Sequence, residues 1–287
     1  MAPSIAEAGR RARPGHSYGP PYGPRPLRAQ GPLAAYGAFV YTSLVALKAI
    51  AFDIDGTLYP DLGLRRRLIP FTLRHSPFLL AFSRARAILH AEAAHAGPGP
   101  ADLASFRLHQ AELVAASLGV SRERAFALAE RIVYEELEAF FVKVELYPGV
   151  QACLETLAAA GFSLGALSDF PAQAKLGHLG LSGLIPLAMT SEASGRLKPS
   201  PKPFLDLAAA LGQPPESILY VGNSVRYDVR GAKAAGMRTA LRIARGGPAA
   251  TGHAFLMRGA DLVFSDWGDL APLILGDPHS HQKSSIR

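Results

Sequence analysis

Thiols are nearly absent from this sequence, with one cysteine, Cys153, in 287 residues. A single thiol closes no intramolecular disulfide, and no Cys/His cluster at zinc spacing accompanies it. That excludes a disulfide-framed scaffold and fits a reducing, cytoplasmic setting. Cys153 lies at apolar helical spacing in VQACLETL, which predicts a core thiol rather than a nucleophile. Charge is also sparse, at 18% against 49% hydrophobic residues, so a wholly disordered chain is excluded. The net charge is +7, and residues 1–45 carry much of it, with Arg10, Arg11, Arg13, Arg25 and Arg28 against Glu7. The remainder is only mildly basic, and no basic run interleaves with aromatics, so no nucleic-acid partner is expected.

A long membrane run is missing too. The uncharged stretch between Arg28 and Lys48 loosely mimics a signal peptide, but Gln30, Gly31, Pro32, Gly37, Thr42 and Ser43 interrupt it. It is short for a span and leads straight into a strand, so neither an anchor nor a membrane partner is expected. Residues 1–44, rich in Pro, Gly and Arg, are expected to be a disordered tail. Translation of the native protein is expected to begin near Val40 or Val45, which the intact mass of the endogenous protein checks. No internal repeat occurs.

From Val45 the chain has more to offer. VALKAIAFD reads as a buried strand ending in two aspartates, Asp53 and Asp55, separated by one residue. Residues 62–142 look entirely helical, with Asp102 and Ser121 as N-caps and Gly119 as a stop. After Gly149 strands and helices alternate. Strands are predicted at Phe162–Ser168, near Ile185–Thr190, and in SILYVG, RTALRI and DLVFS; a helix is predicted over 226–235. This alternation predicts an α/β, Rossmann-like parallel sheet with an inserted all-helical block. The expected division is a core of 45–61 and 143–275, a helical cap of 62–142, and a flexible C-terminal tail of 276–287.

Ligands of open parallel sheets bind beyond the carboxyl ends of the strands. There this sequence places Asp53 and Asp55, then Ser168 and Asp169, then Lys198, then Asn223 and Asp228. Two adjacent carboxylates repel, so a cation is required beside them.

The segments DIDGTL, LGALSD, LKPSPKPF and YVGNSVRYDVRGAKAAG together resemble the four motifs of the haloacid dehalogenase-like hydrolase superfamily, over roughly Val45 to Phe264. The helical insertion resembles that family's type-1 cap. The resemblance implies an aspartyl-phosphate mechanism, with Asp53 as nucleophile and Asp55 as general acid and base. It further implies that Ser168, Asp169 and Lys198 bind the phosphoryl group, with Lys198 supplying positive charge. Mg²⁺ would be held by Asp53, Asp55 through its backbone carbonyl, Asn223 and Asp228. Many relatives carry Gly-Asp where this chain has Gly222-Asn223, which predicts weaker Mg²⁺ binding or greater reliance on Asp228. Asp55 argues against dehalogenation, which needs no protonated leaving oxygen. The implied function is a Mg²⁺-dependent phosphatase acting on a small phosphorylated metabolite. A phosphomutase and a non-catalytic phospho-ligand binder are the alternatives, and a homodimer stays open. Arg65, Arg66 and Arg67 read as a solvated helix face. His75, His90, His95 and His109 read as surface or core residues, and Phe106, Phe126, Tyr134, Phe140 and Phe141 as cap core.

Overall fold

Strand β1, Ala49–Phe52, is buried along its whole length, as expected of a central strand covered on both faces. A computed structural model describes residues 47–95, 97, 99–244 and 259–276. The tail expected over 1–44 and, Gly276 apart, the one expected over 276–287 lie outside the described residues. The other strands are β2 (Ser163–Ser168), β3 (Leu187–Thr190), β4 (Ile218–Gly222), β5 (Arg238–Arg242) and β6 (Leu262–Phe264). They form one sheet in the order β3-β2-β1-β4-β5-β6, and every pairing is parallel. The expected α/β Rossmann-like core is therefore present.

Strand periodicity divides the core in two. Ile50 and Phe52 of β1, with Leu219 and Val221 of β4, join the cluster containing Leu154 and Trp267. Ala49 and Ala51, with Ile218 and Tyr220, face Phe204 and Leu207. The alanines leave room on that second face, and the packing is tight. A Cβ on Gly231 would lie 2.3 Å from the Phe204 ring. Gly231→Ala is expected to cost about 1–3 kcal/mol by overpacking, read as a lower urea midpoint. On the first face, burial pushes the Cys153 thiol up to about 11. The native protein should therefore resist alkylation at pH 8, reacting only when unfolded.

Between β1 and β2 the chain is helical. Helices α1 (Asp61–Arg67), α2 (Ile69–Arg74), α3 (Ser76–Ala93), α4 (Leu103–Leu118) and α5 (Arg122–Ala129) follow in order. Asp102 accepts from the Ser105 N–H in a capping box, Gly119 closes α4 in the left-handed region, and Ser121 caps α5. The block has its own apolar cluster around Phe82, Val114 and Ile132. The long helix expected after Ser121 is instead broken. π-helical turns, Glu130–Glu136, and a 3₁₀ segment, Glu138–Lys143, follow α5. The break turns the apolar face, because Ile132 and Val133 pack within the block while Phe140 and Phe141 pack on the sheet core. Phe140 and Phe141 are thus not cap core, contrary to expectation. Likewise, the helix expected over 226–235 is a π-helical Val225–Val229 followed by a short helix, Arg230–Ala234. Among the described residues no helix is long and apolar enough to cross a membrane.

Candidate active site

Asp53 continues the β1 ladder, its N–H donating to Val221 O at 2.8 Å, so its side chain emerges where β1 and β4 meet. This is the point at which the strand order reverses, the usual binding crevice of such sheets. The chain then turns through Gly56, which has φ +77° and lies where a Cβ would come 2.3 Å from the Asn223 amide. Both facts demand glycine there.

Three strand ends converge on Asp53. Thr57 Oγ1 donates to its Oδ2 at 2.7 Å, and Lys198 Nζ donates to its Oδ1 at 2.7 Å. The same Lys198 Nζ reaches Asp228 Oδ1 at 2.7 Å and the Tyr220 hydroxyl at 3.3 Å. The other oxygen of Asp228 accepts from the N–H groups of Asn223 (3.1 Å) and Ser224 (2.9 Å), which explains the tight π-helical turn. Burial pushes the Asp53 carboxyl up to about 7; Asp228 and Asp55 push it the same way, and Lys198 opposes them. Burial would lower the pKa of Lys198, but Asp228 and Asp53 outweigh it and hold the ammonium charged.

Asp55 binds a different cation. Lys175 Nζ donates to its two oxygens at 2.8 and 2.6 Å, Ser168 Oγ donates at 3.0 Å, and the Tyr59 hydroxyl also donates to it. Burial raises the Asp55 pKa, but Lys175 and these donors overcome that and hold it below the usual carboxylate range. Lys175 was not anticipated from sequence, and neither was Tyr59. The available signal was a lysine on an apolar helix face, since Ala172, Leu176 and Leu179 beside it are buried.

The Asp169 carboxylate is engaged by other groups. Its Oδ1 accepts from Lys198 N at 3.2 Å and from the Ser191 hydroxyl, so it ties the loop after β2 to the loop after β3. His90, read from sequence as an ordinary surface or core residue, donates through Nδ1 to Lys198 O at 2.7 Å and sits 3.6 Å from Asp169. Glu192, Arg86 and Gln110 were also missed. Arg86 of α3 reaches Glu192 at 2.6 Å, Asp169 O at 2.7 Å and Gln110 at 3.2 Å, and Tyr134 donates to Glu192 at 3.0 Å. This buried cluster fastens the helical block to the loops that carry Asp169 and Lys198.

The donors expected to hold a metal are oxygen-rich, which suits Mg²⁺. The Asn223 side-chain amide lies 3.3 Å from the Asp55 backbone oxygen, so two expected ligands are already adjacent. Reversing that amide presents its oxygen instead. Three carboxylates, Asp53, Asp55 and Asp228, face two ammonium groups, Lys175 and Lys198, so with all three ionised one negative charge is left to balance. Among the described residues no three His, Cys, Asp or Glu side chains form a metal cluster. An ion there would therefore rest partly on amide, backbone and water oxygens. The residues fit Mg²⁺ on charge and donor type.

A family model described as haloacid dehalogenase-like hydrolase matches residues 47–236. Among curated proteins, a glyceraldehyde 3-phosphate phosphatase of Methanopyrus kandleri is 32% identical over 207 residues, covering 70% of this chain and 85% of that protein. A phosphoglycolate phosphatase of Mannheimia succiniciproducens is 29% identical over 239 residues, covering 79% of this chain and 98% of that protein. Among solved structures, a HAD phosphatase from Thermococcus onnurineus superposes with TM-score 0.52 at 24% identity, covering 80% of this chain and 98% of that chain. A 2-haloacid dehalogenase from Pseudomonas syringae gives TM-score 0.53, also at 24% identity and with the same coverage, and shares the fold. On its motifs, its sheet and the family match, this chain belongs to the haloacid dehalogenase-like hydrolases.

Proposed function

We propose that this hydrolase is a Mg²⁺-dependent phosphatase of a small phosphorylated metabolite, working through an aspartyl-phosphate on Asp53. The observation that carries the reading is the Lys198 ammonium lying 2.7 Å from both Asp53 and Asp228, with the Asp55–Ser168 pair on the neighbouring strand ends. Once ionised, a form that Lys198 and a bound cation favour against burial, the Asp53 carboxylate needs no base to attack phosphorus. As the Asp53–phosphorus bond forms, the bond to the alkoxide breaks, and a protonated Asp55 gives its proton to the leaving oxygen. Asp55, now a carboxylate, takes a proton from water; that water oxygen attacks phosphorus and releases inorganic phosphate and Asp53. Charge on the arriving phosphate favours the protonated form of Asp55 against the pull of Lys175. Lys198 offsets charge on the phosphoryl oxygens, and Ser168, released from Asp55, hydrogen-bonds one of them. The Asp169 carboxylate acts as a loop anchor, through Ser191 and the Lys198 N–H.

Mg²⁺, held by Asp53, the Asp55 backbone oxygen, Asn223 and Asp228, would supply charge neutralisation between carboxylate and phosphate. Asn223→Asp adds a carboxylate to this set. It is expected to tighten Mg²⁺ about tenfold, read as the Mg²⁺ concentration giving half-maximal hydrolysis of p-nitrophenyl phosphate. An unchanged midpoint would remove Asn223 from the ligands.

A further inference from the structure

A cavity of about 260 Å³ opens beside Asp55, between the helical block and the loop after β2. It begins where the leaving oxygen must sit if Asp55 protonates it. Its walls are Leu64, Leu68, Val133, Leu137, Phe141 and Phe170, so most of the lining is apolar. The polar groups along it are already engaged. Lys175 and Tyr59 are bound to Asp55, and the Tyr134 hydroxyl to Glu192 and Gln110. At the rim Asp61 pairs with Arg65 at 2.7 Å, and Glu138 meets His178 at 3.3 Å. A sugar hydroxyl entering this space would lose water and displace existing partners, and a carboxylate would meet Lys175 only once Asp55 is protonated, whereas a hydrocarbon would lose nothing. A cavity of about 150 Å³ is enough for a benzene ring.

From this we infer that the alcohol released is apolar and about one ring in size, an arylmethyl or branched aliphatic alcohol, in contrast to glycolate or glyceraldehyde. The inference rests on the phosphatase reading and specifies its substrate class. Tyr134 and Phe141, expected from sequence to be cap core, become walls of the leaving-group pocket.

The test compares kcat/KM for benzyl phosphate and 3-methylbutyl phosphate with that for phosphoglycolate and glyceraldehyde 3-phosphate, at saturating Mg²⁺. These are all alkyl esters, so differences in leaving-group activation are small. p-Nitrophenyl phosphate serves as the reporter of phosphatase chemistry as such. The apolar esters are expected to lead by at least about tenfold. The Leu137→Asp and Leu68→Asp variants, each placing a charge in the wall, should lower the apolar-to-polar ratio by at least about tenfold. Equal or reversed preference in the wild type, with p-nitrophenyl phosphate turned over, would overturn the inference and leave the phosphatase reading standing. So would a ratio unmoved in both variants. If no ester is hydrolysed, p-nitrophenyl phosphate included, the phosphatase reading itself falls and takes the inference with it.

Discussion

Asp53→Asn should lower kcat by at least about four orders of magnitude while the protein stays folded. The amide is nearly isosteric and can still accept from Thr57 Oγ1, now 2.7 Å from Oδ2. Lys198 keeps Asp228 at 2.7 Å, so no buried charge is stranded. What disappears is the attacking oxygen, and nothing else on the rim replaces it. Asp55→Asn should behave differently. Protonating the leaving group matters most for a poor one, so alkyl phosphate hydrolysis should fall by about 10²–10⁴ and p-nitrophenyl phosphate hydrolysis by less. Equal losses on both esters would assign Asp55 to binding, without proton transfer. Steady-state rates on the two ester types separate these cases.

The second large effect concerns stability. Glu192 is fully buried and takes Arg86 at 2.6 Å, Tyr134 at 3.0 Å and Arg107 at 3.8 Å. Glu192→Ala removes the carboxylate and leaves the Arg86 guanidinium, itself buried, with Gln110 and the Asp169 carbonyl as hydrogen-bond partners and the Phe170 ring 4.3 Å away, none of them carrying a balancing charge. Breaking such a pair costs about 3–5 kcal/mol. Urea unfolding should show it, and activity should fall as well, because Arg86 holds Asp169, which directly follows Ser168 at the end of β2. Replacing both partners, as Arg86→Met with Glu192→Leu, should recover more than half of the lost stability, since no unpaired charge then remains. A Glu192→Ala protein within about 1 kcal/mol of wild type would mean that the cluster contributes little to fastening the helical block.

The parts legible in sequence were those with short-range signals. Apolar strand runs, Asp102 and Ser121 as caps, Gly119 as a stop and polar residues at strand ends all follow from local chemistry, and each appears where local chemistry puts it. Long-range pairings carried no such mark. Lys175 lies 120 residues from Asp55, and Arg86 lies 106 residues from Glu192. Neither lysine nor arginine announces burial, because both are ordinarily surface residues. His90 is the same case: only the folded chain brings it to the Lys198 carbonyl. The broken helix after Ala129 escaped notice for a related reason. Its apolar spacing is helical throughout, and the need to face two different cores arises only once the sheet and the helical block are packed together.

A phosphoryl group carried on Asp53 is tested most directly by trapping it. Enzyme mixed with substrate and Mg²⁺, quenched in acid within the first turnover and digested, should yield a peptide spanning Ala49–Leu58 heavier by one phosphoryl group. The added group should be labile in base and map to Asp53, and Asp53→Asn should yield none. Full turnover with that peptide always unmodified, or with the label on another residue, would contradict the account.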